Sequence, residues 1–420
     1  MAKYLVQHSS PLSGEVTVSG AKNAVLPLMA ATLLTTDECK IFDVPELADV
    51  AVMRNIMESV GSVIDEPVRS VLNIQTETIK TIEPDNELVG MMRASFVMMG
   101  PLLGREGKAK LYRPGGCSIG ARPIDLHLKG FKALGAKIMI TDDYVEAEAP
   151  EGGLVGTTIY LDFPSVGATE NIMMAAALAN GTTYIENAAE EPEITDLANL
   201  INKMGGRIKG AGTDNIKIEG VTKLHGAQHT VIPDRIEAGT FMLAAAITRG
   251  QLLIRNVTPD HLKPVTAKLR ECGVTVEMGD EGMYVLADDR ELTSTNIKTM
   301  PYPGFPTDIQ SPFMAFLTTV YGHSTVIETV FENRFMHVAE LNRMGANIEI
   351  QGNKAIVKGG RKLRGSHVIA TDLRAGAAMV LAGLAAEGTT QVSEIYHIER
   401  GYEDFISKFR SIGANITKVE

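Results

Sequence analysis

A chain of 420 residues, 45% of them hydrophobic, exceeds one ordinary core and divides more naturally into two domains of about 200 residues each. Its formal charge of −11 argues against a general nucleic-acid coat, which needs a basic face, but leaves room for arginines gathered locally around a small anion. Three cysteines, the short polar start "MAKYLVQHSS" and a longest apolar stretch of only "AGAAMVLAGLAA" predict reduced thiols, no signal peptide, no membrane span and a cytoplasmic location.

Residues 1–20 read as strands without a helical unit of their own and are expected to complete the second domain. A buried helix starts near Ala21 in "VSGAKNAVLPLMAA", opening with Lys22 and Asn23. Lysine at a helix N-terminus opposes the macrodipole, so Lys22 either extends into solvent or meets an anionic ligand. From there one pattern recurs: "MESVGSVI", "KALGAKIMI", "INKMGGRI", "LRECGVTVE", "NRMGANIEI" and "RSIGANITKV" each end a helix at glycine and continue as a strand. The glycines are Gly61, Gly135, Gly205, Gly273, Gly345 and Gly413, so six copies of a unit of roughly 70 residues fill the chain.

Each copy pairs two kinds of helix. "FVMMGPLL", "NIMMAAALA", "FMLAAAI" and "AAMVLAGLAA" are apolar nearly all round and must be buried on every side. "PEITDLANLINKMGG" instead puts Ile194, Leu197, Leu200, Ile201 and Met204 on one face, and "GYEDFISKFRSIG" does the same with Tyr402, Phe405, Phe409 and Ile412. The expected class is therefore α/β, with small Ala/Met helices inside and sheets and amphipathic helices around them. Six units divide into two domains of three. Residues 22–231 form one, and residues 1–21 with 232–420 form the other, joined near "GAQHTVIPDR".

Several clusters carry potential chemistry. In "YRPGGCSIGARPIDLHLKGF" a glycine-rich loop runs into a helix with an apolar stripe of Ile124, Leu128 and Phe131, and Pro123 suits its first turn. Arg113, Arg122 and a helix start would lower the Cys117 thiol toward neutrality, so Cys117 is either an activated thiol or an inert turn residue. Cys39, in the apolar "CKIF", and Cys272, which continues the Leu262, Val265, Leu269 stripe, read as structural. Asp234, Asp308 and Asp372 recur at helix starts, where capping is the economical role. Arg93, Arg122, Arg334, Arg374 and Arg400 sit near helix starts or crossing loops, as surface ion pairs or as forks for a carboxylate or phosphate. No metal site is expected: "HGAQH" lacks a metal-presenting helix, and HExxH, CxxC, Walker and dinucleotide motifs are absent.

Taken in order, "GAKNAVLPLMAA", "PGGCSIGARPIDLH", "SVGATENIMMAAA", "PDRIEAGTF", "FPTDIQ", "ETVFENRFMHV", "ATDLRA" and "YHIERGYE" resemble the motifs of the enolpyruvyl transferases, most closely those acting on UDP-N-acetylglucosamine in bacterial wall synthesis. The resemblance implies two inverted α/β-barrel domains, each of three βαβαββ units. It implies transfer of the enolpyruvyl group of phosphoenolpyruvate to the 3′-hydroxyl of the sugar nucleotide, with release of phosphate and with neither cofactor nor metal. It assigns Cys117 to proton delivery and a covalent adduct, Lys22, Arg93, Arg122 and Arg400 to phosphoenolpyruvate, and Asp308 to the base, against the capping expectation. Asp372 and Arg374 fall in the catalytic neighbourhood. Asn23, Arg93, Arg122, Pro123, Ile124, Asp125, Leu126, Ser165, Val166, Gly167, Asp308, Ile327, Glu332 and Arg334 line the substrates. Phe163, where some relatives carry lysine, and Arg113, where an apolar residue is expected, depart from the pattern. A shikimate-type transferase shares the fold without depending on the cysteine. RNA 3′-phosphate cyclases or a repeat binding module share the units, against which the charge and the absence of tryptophan weigh. Oligomeric state is not legible.

Overall fold

The computed structural model describes residues 2–112, 124–288 and 291–420. The chain folds as two compact units: one holds residues 20–112 and 124–232, the other residues 2–19, 233–288 and 291–420. Both are mixed α/β. All six repeat glycines adopt φ between +95° and +112°, where a β-carbon is strained, and each terminates an amphipathic helix so that the chain can turn into a strand.

In the unit that ends the chain, helices Arg235–Thr248, Thr307–Leu317 and Leu373–Ala385 pack against one another. Every residue of the first after Arg235 is buried, which is what an all-round apolar sequence requires. Strand Gln251–Arg255 runs parallel to Ser13–Thr17 and antiparallel to Gly282–Leu286. Strand Lys3–Gln7 lies antiparallel between Thr389–Ser393 and Ile416–Val419, with Tyr4 and Val6 turned into the core. Both opening strands thus belong to sheets of this unit. Each of its three sheets combines one parallel edge pair with two antiparallel pairings.

The other unit is built similarly around helices Lys22–Ala31, Met99–Glu106 and Val166–Ala176, except that the sheet of Lys108–Tyr112, Tyr144–Glu148 and Lys137–Ile140 has only antiparallel pairings among the described residues. Strand Gln228–Thr230 returns to pair in parallel with Cys39–Phe42, which is antiparallel to Val71–Gln75. Gly100 lets two of the central helices approach backbone to backbone: a β-carbon there would lie 2.4 Å from the Asn171 carbonyl oxygen. Its N–H donates to Asn171 Oδ1 at 2.6 Å, which fixes an amide inside the unit.

Cys39 and Cys272 are both buried, and burial pushes their thiols up to about 11 and about 12. They are packing residues, as their sequence context suggests. Among the described residues no helix is long and apolar enough to cross a membrane.

Candidate active site

In the unit that ends the chain, two of the candidate arginines meet one carboxylate. Asp308 stands in the first turn of Thr307–Leu317, whose N-cap position is Pro306. It is therefore not the cap that the repeat alone suggests. Arg334 Nη2 donates to its Oδ1 at 3.0 Å, while Arg374 donates through Nε and Nη2 to Oδ2, both at 3.2 Å. The two guanidinium side chains are 2% and 3% exposed and the carboxylate 24%, so Asp308 is the face that this cluster offers to solvent.

Neighbouring groups hold the arginines in place. Burial works against the Arg374 charge, but Tyr402, Asp308 and Asp234 outweigh it and keep the guanidinium protonated. The Arg374 guanidinium lies 5.2 Å over the Tyr402 ring, whose hydroxyl meets Thr240 Oγ at 2.9 Å. Asp372 caps Leu373–Ala385 by accepting from the Arg374 and Ala375 N–H groups, and Asp234 caps Arg235–Thr248 in the same way. For these two aspartates the capping expectation holds. Arg334 comes from an irregular turn, its carbonyl accepting from His337 Nδ1 at 3.1 Å. Burial, helped by the Arg334 charge, pushes that imidazole down to about 4 against the opposing pull of Asp372, so it is neutral. Among the described residues, the buried Arg334 Nε and Nη1 and Arg374 Nη1 find no hydrogen-bond acceptor.

Arg400 follows the short helix Tyr396–Glu399, and burial together with the Arg400 charge pushes His397 below its ordinary value against the opposing pull of Asp372. Glu332 is exposed on the turn that carries Arg334. Ile327 ends strand His323–Ile327 and lines a groove with Pro264, Lys298, Phe305 and Thr325.

In the other unit Lys22 opens its helix half-buried, with Nζ 2.9 Å from Asp49 Oδ2. It does not extend freely into solvent, and the charge opposing the helix dipole is balanced by a buried carboxylate in the first turn of Ala48–Ser59. Asn23 is exposed beside it. Arg93 begins the 3₁₀ turn Arg93–Met98, against which the Lys22 helix packs.

Helix Asp125–Ala133 carries His127, a residue that the sequence reading passed over. Asn171 Nδ2 donates to its Nδ1 at 2.8 Å, which leaves the ring proton on Nε2. Burial and the Arg93 charge push the imidazole down to about 3. A β-carbon on Gly167 would approach His127 Cε1 to 3.1 Å, so Gly167 keeps the start of Val166–Ala176 open beside this ring. Ser165 caps that helix on the Ala168 N–H at 3.4 Å. Ile124, Leu126 and Val166 pack part-buried against the core, and Asp125 is exposed. At Phe163 an exposed phenyl stands beside Asp162, which takes Lys129 Nζ at 2.7 Å. Cys117, Arg122, Pro123 and Arg113 lie outside the described residues.

A family profile described as EPSP synthase (3-phosphoshikimate 1-carboxyvinyltransferase) matches residues 6–409. The chain belongs to the EPSP synthase family. Among its relatives in that family, the UDP-N-acetylglucosamine 1-carboxyvinyltransferase 1 of Caldanaerobacter subterraneus subsp. tengcongensis is 58% identical over 414 residues, 99% of each chain. The UDP-N-acetylglucosamine 1-carboxyvinyltransferase of Finegoldia magna is 55% identical over 417 residues, 99% of this chain and 98% of that one. In fold the chain matches the enolpyruvyl transferase NikO from Streptomyces tendae with a TM-score of 0.89 at 24% identity, covering 100% of this chain and 99% of that one. EPSP synthase from Acinetobacter baumannii matches with a TM-score of 0.77 at 19% identity over the whole of both chains. The mixed α/β architecture in two units is the enolpyruvyl transferase fold.

Proposed function

We propose that this family member transfers the enolpyruvyl group of phosphoenolpyruvate to the 3′-hydroxyl of UDP-N-acetylglucosamine and releases phosphate, an early step of peptidoglycan precursor synthesis in the cytoplasm. The observation that carries the choice of acceptor is the identity of 53% to 58% along essentially the whole chain to proteins named for that reaction. The family profile is named for a shikimate acceptor, but the structures titled EPSP synthase share only 18% to 19% of the sequence, which speaks to fold alone.

The chemistry asks for a base at the attacking hydroxyl and an acid at the methylene carbon. In this reading Asp308 takes the hydroxyl proton as the oxygen bonds to C2, and Cys117 delivers a proton to C3. Loss of a proton from the resulting methyl group and departure of phosphate then regenerate the enol ether. Lys22, Arg93, Arg122 and Arg400 balance the anionic donor, and Asp372 and Arg374 support the reacting end. Asn23, residues 123–126, Ser165, Val166 and Gly167 line the sugar nucleotide. The Arg334 and Arg374 guanidiniums hold the Asp308 carboxylate in one orientation for the approaching hydroxyl.

The test is release of inorganic phosphate from phosphoenolpyruvate offered with UDP-N-acetylglucosamine or with shikimate 3-phosphate, and the mass of the organic product. Turnover with the sugar nucleotide alone is expected. Turnover with shikimate 3-phosphate alone would overturn the acceptor, and none with either would overturn the reaction.

A further inference from the structure

Glu328 follows strand His323–Ile327, is 4% exposed, and has no role in the reaction described above. Its two oxygens collect four donors. Oε1 accepts from the Thr299 hydroxyl at 2.6 Å and from the Val330 and Phe331 N–H groups at 2.8 and 3.3 Å, while Oε2 accepts from the Thr307 hydroxyl at 3.0 Å. These donors belong to three separate segments. Thr307 is the first residue of the helix that carries Asp308. Val330 and Phe331 open the irregular turn that delivers Arg334, and the Phe331 ring lies 5.5 Å beneath the Arg334 guanidinium. Thr299 locks the far side, its hydroxyl also accepting from the Thr329 N–H at 3.0 Å.

A carboxylate buried this deeply is expensive unless its lone pairs are filled, and here neutral donors fill them. The arrangement joins the two segments whose side chains form the Arg334–Asp308 pair. A turn with no regular backbone ladder has few other means of holding its register. We infer that Glu328 is a positioning residue for the reaction: it fixes the Arg334 turn to the start of the Asp308 helix, so that guanidinium and carboxylate meet in a reproducible geometry. The inference rests on the reading of Asp308 as the proton acceptor.

Steady-state phosphate release by the full chain tests it in Glu328→Ala, Glu328→Gln and Thr307→Val, beside Asp308→Asn. Displacement of a reacting group by about 1 Å costs on the order of 10²-fold in rate. Glu328→Ala is therefore expected to lower kcat by about that factor while KM for both substrates stays within about threefold. Glu328→Gln keeps an acceptor on the two N–H groups, and the Thr307 hydroxyl can rotate to accept from the new amide, so this variant is expected to restore kcat to within about threefold. Thr307→Val is expected to lose roughly five- to tenfold, and to add nothing to Glu328→Ala.

A folded Glu328→Ala with unaltered kcat, or a Glu328→Gln as impaired as the alanine variant, overturns the inference even if Asp308→Asn is inactive. An Asp308→Asn enzyme that keeps wild-type turnover removes the reading beneath it and the inference together. Should Glu328→Ala fail to fold, Glu328→Gln and Thr307→Val carry the test: full activity in Thr307→Val overturns the inference, and its selective loss of kcat supports it.

Discussion

The two units present their candidate residues at the same kind of place, the starts of buried helices, but hold them by different means. In the unit ending at residue 420, buried charge is set against a part-exposed one, with two buried guanidiniums on the one carboxylate of Asp308. In the unit of residues 20–232, a neutral network of His127, Asn171 and the Gly100 N–H runs beside Arg93 and the Ser165 cap, and the ion pair Lys22–Asp49 stands at a different helix start. The repeat fixes where a polar group can emerge from the core. It does not fix which chemistry emerges there.

The comparison can be broken most forcefully at Asp308. Asp308→Ala leaves two buried guanidiniums without their counter-charge and is expected to cost about 3–5 kcal/mol in denaturant unfolding. Removal of the Lys22 partner by Asp49→Asn, where the lysine reaches water, is expected to cost less.

Acid sharpens the contrast. His337 and His127 are held neutral with values near 4 and 3 against the ordinary 6.5, so the unfolded chain binds protons that the folded chain refuses. Stability is then full above about pH 6.5 and falls as the pH drops toward the folded values. At pH 5 fully buried His337 is expected to account for about 2 kcal/mol of the loss, and half-buried His127 for less. Denaturant melts at pH 7.5 and 5.0 of His337→Gln and His127→Gln read this as a shallower pH dependence, shallower for His337→Gln. A smaller effect belongs to the cap alone: Asp234→Ala gives up two N–H acceptances and is expected to cost about 1 kcal/mol.

Much of the fold was legible because its signals are local. A glycine that must take positive φ, and a helix apolar on all faces, announce themselves within ten residues, and their recurrence gave the six units. The site was legible only in part. Capping at Asp234 and Asp372 is a contact across two or three residues, and the sequence contains it. The pairing of Asp308 with Arg334 and Arg374 spans 26 and 66 residues, and it comes from helix packing and an irregular turn that no periodicity encodes. Asp49, His127 and Glu328 went unassigned for the same reason: each is a polar residue in or beside an apolar stretch with a partner remote in the chain.

The most direct measurement is the turnover of Asp308→Asn with phosphoenolpyruvate and UDP-N-acetylglucosamine. The substitution keeps the size and one acceptor oxygen while removing the site for the hydroxyl proton. Loss of kcat by about 10²- to 10⁴-fold, with both substrates still bound, is the predicted result. Turnover within twofold of the unaltered enzyme would contradict the account.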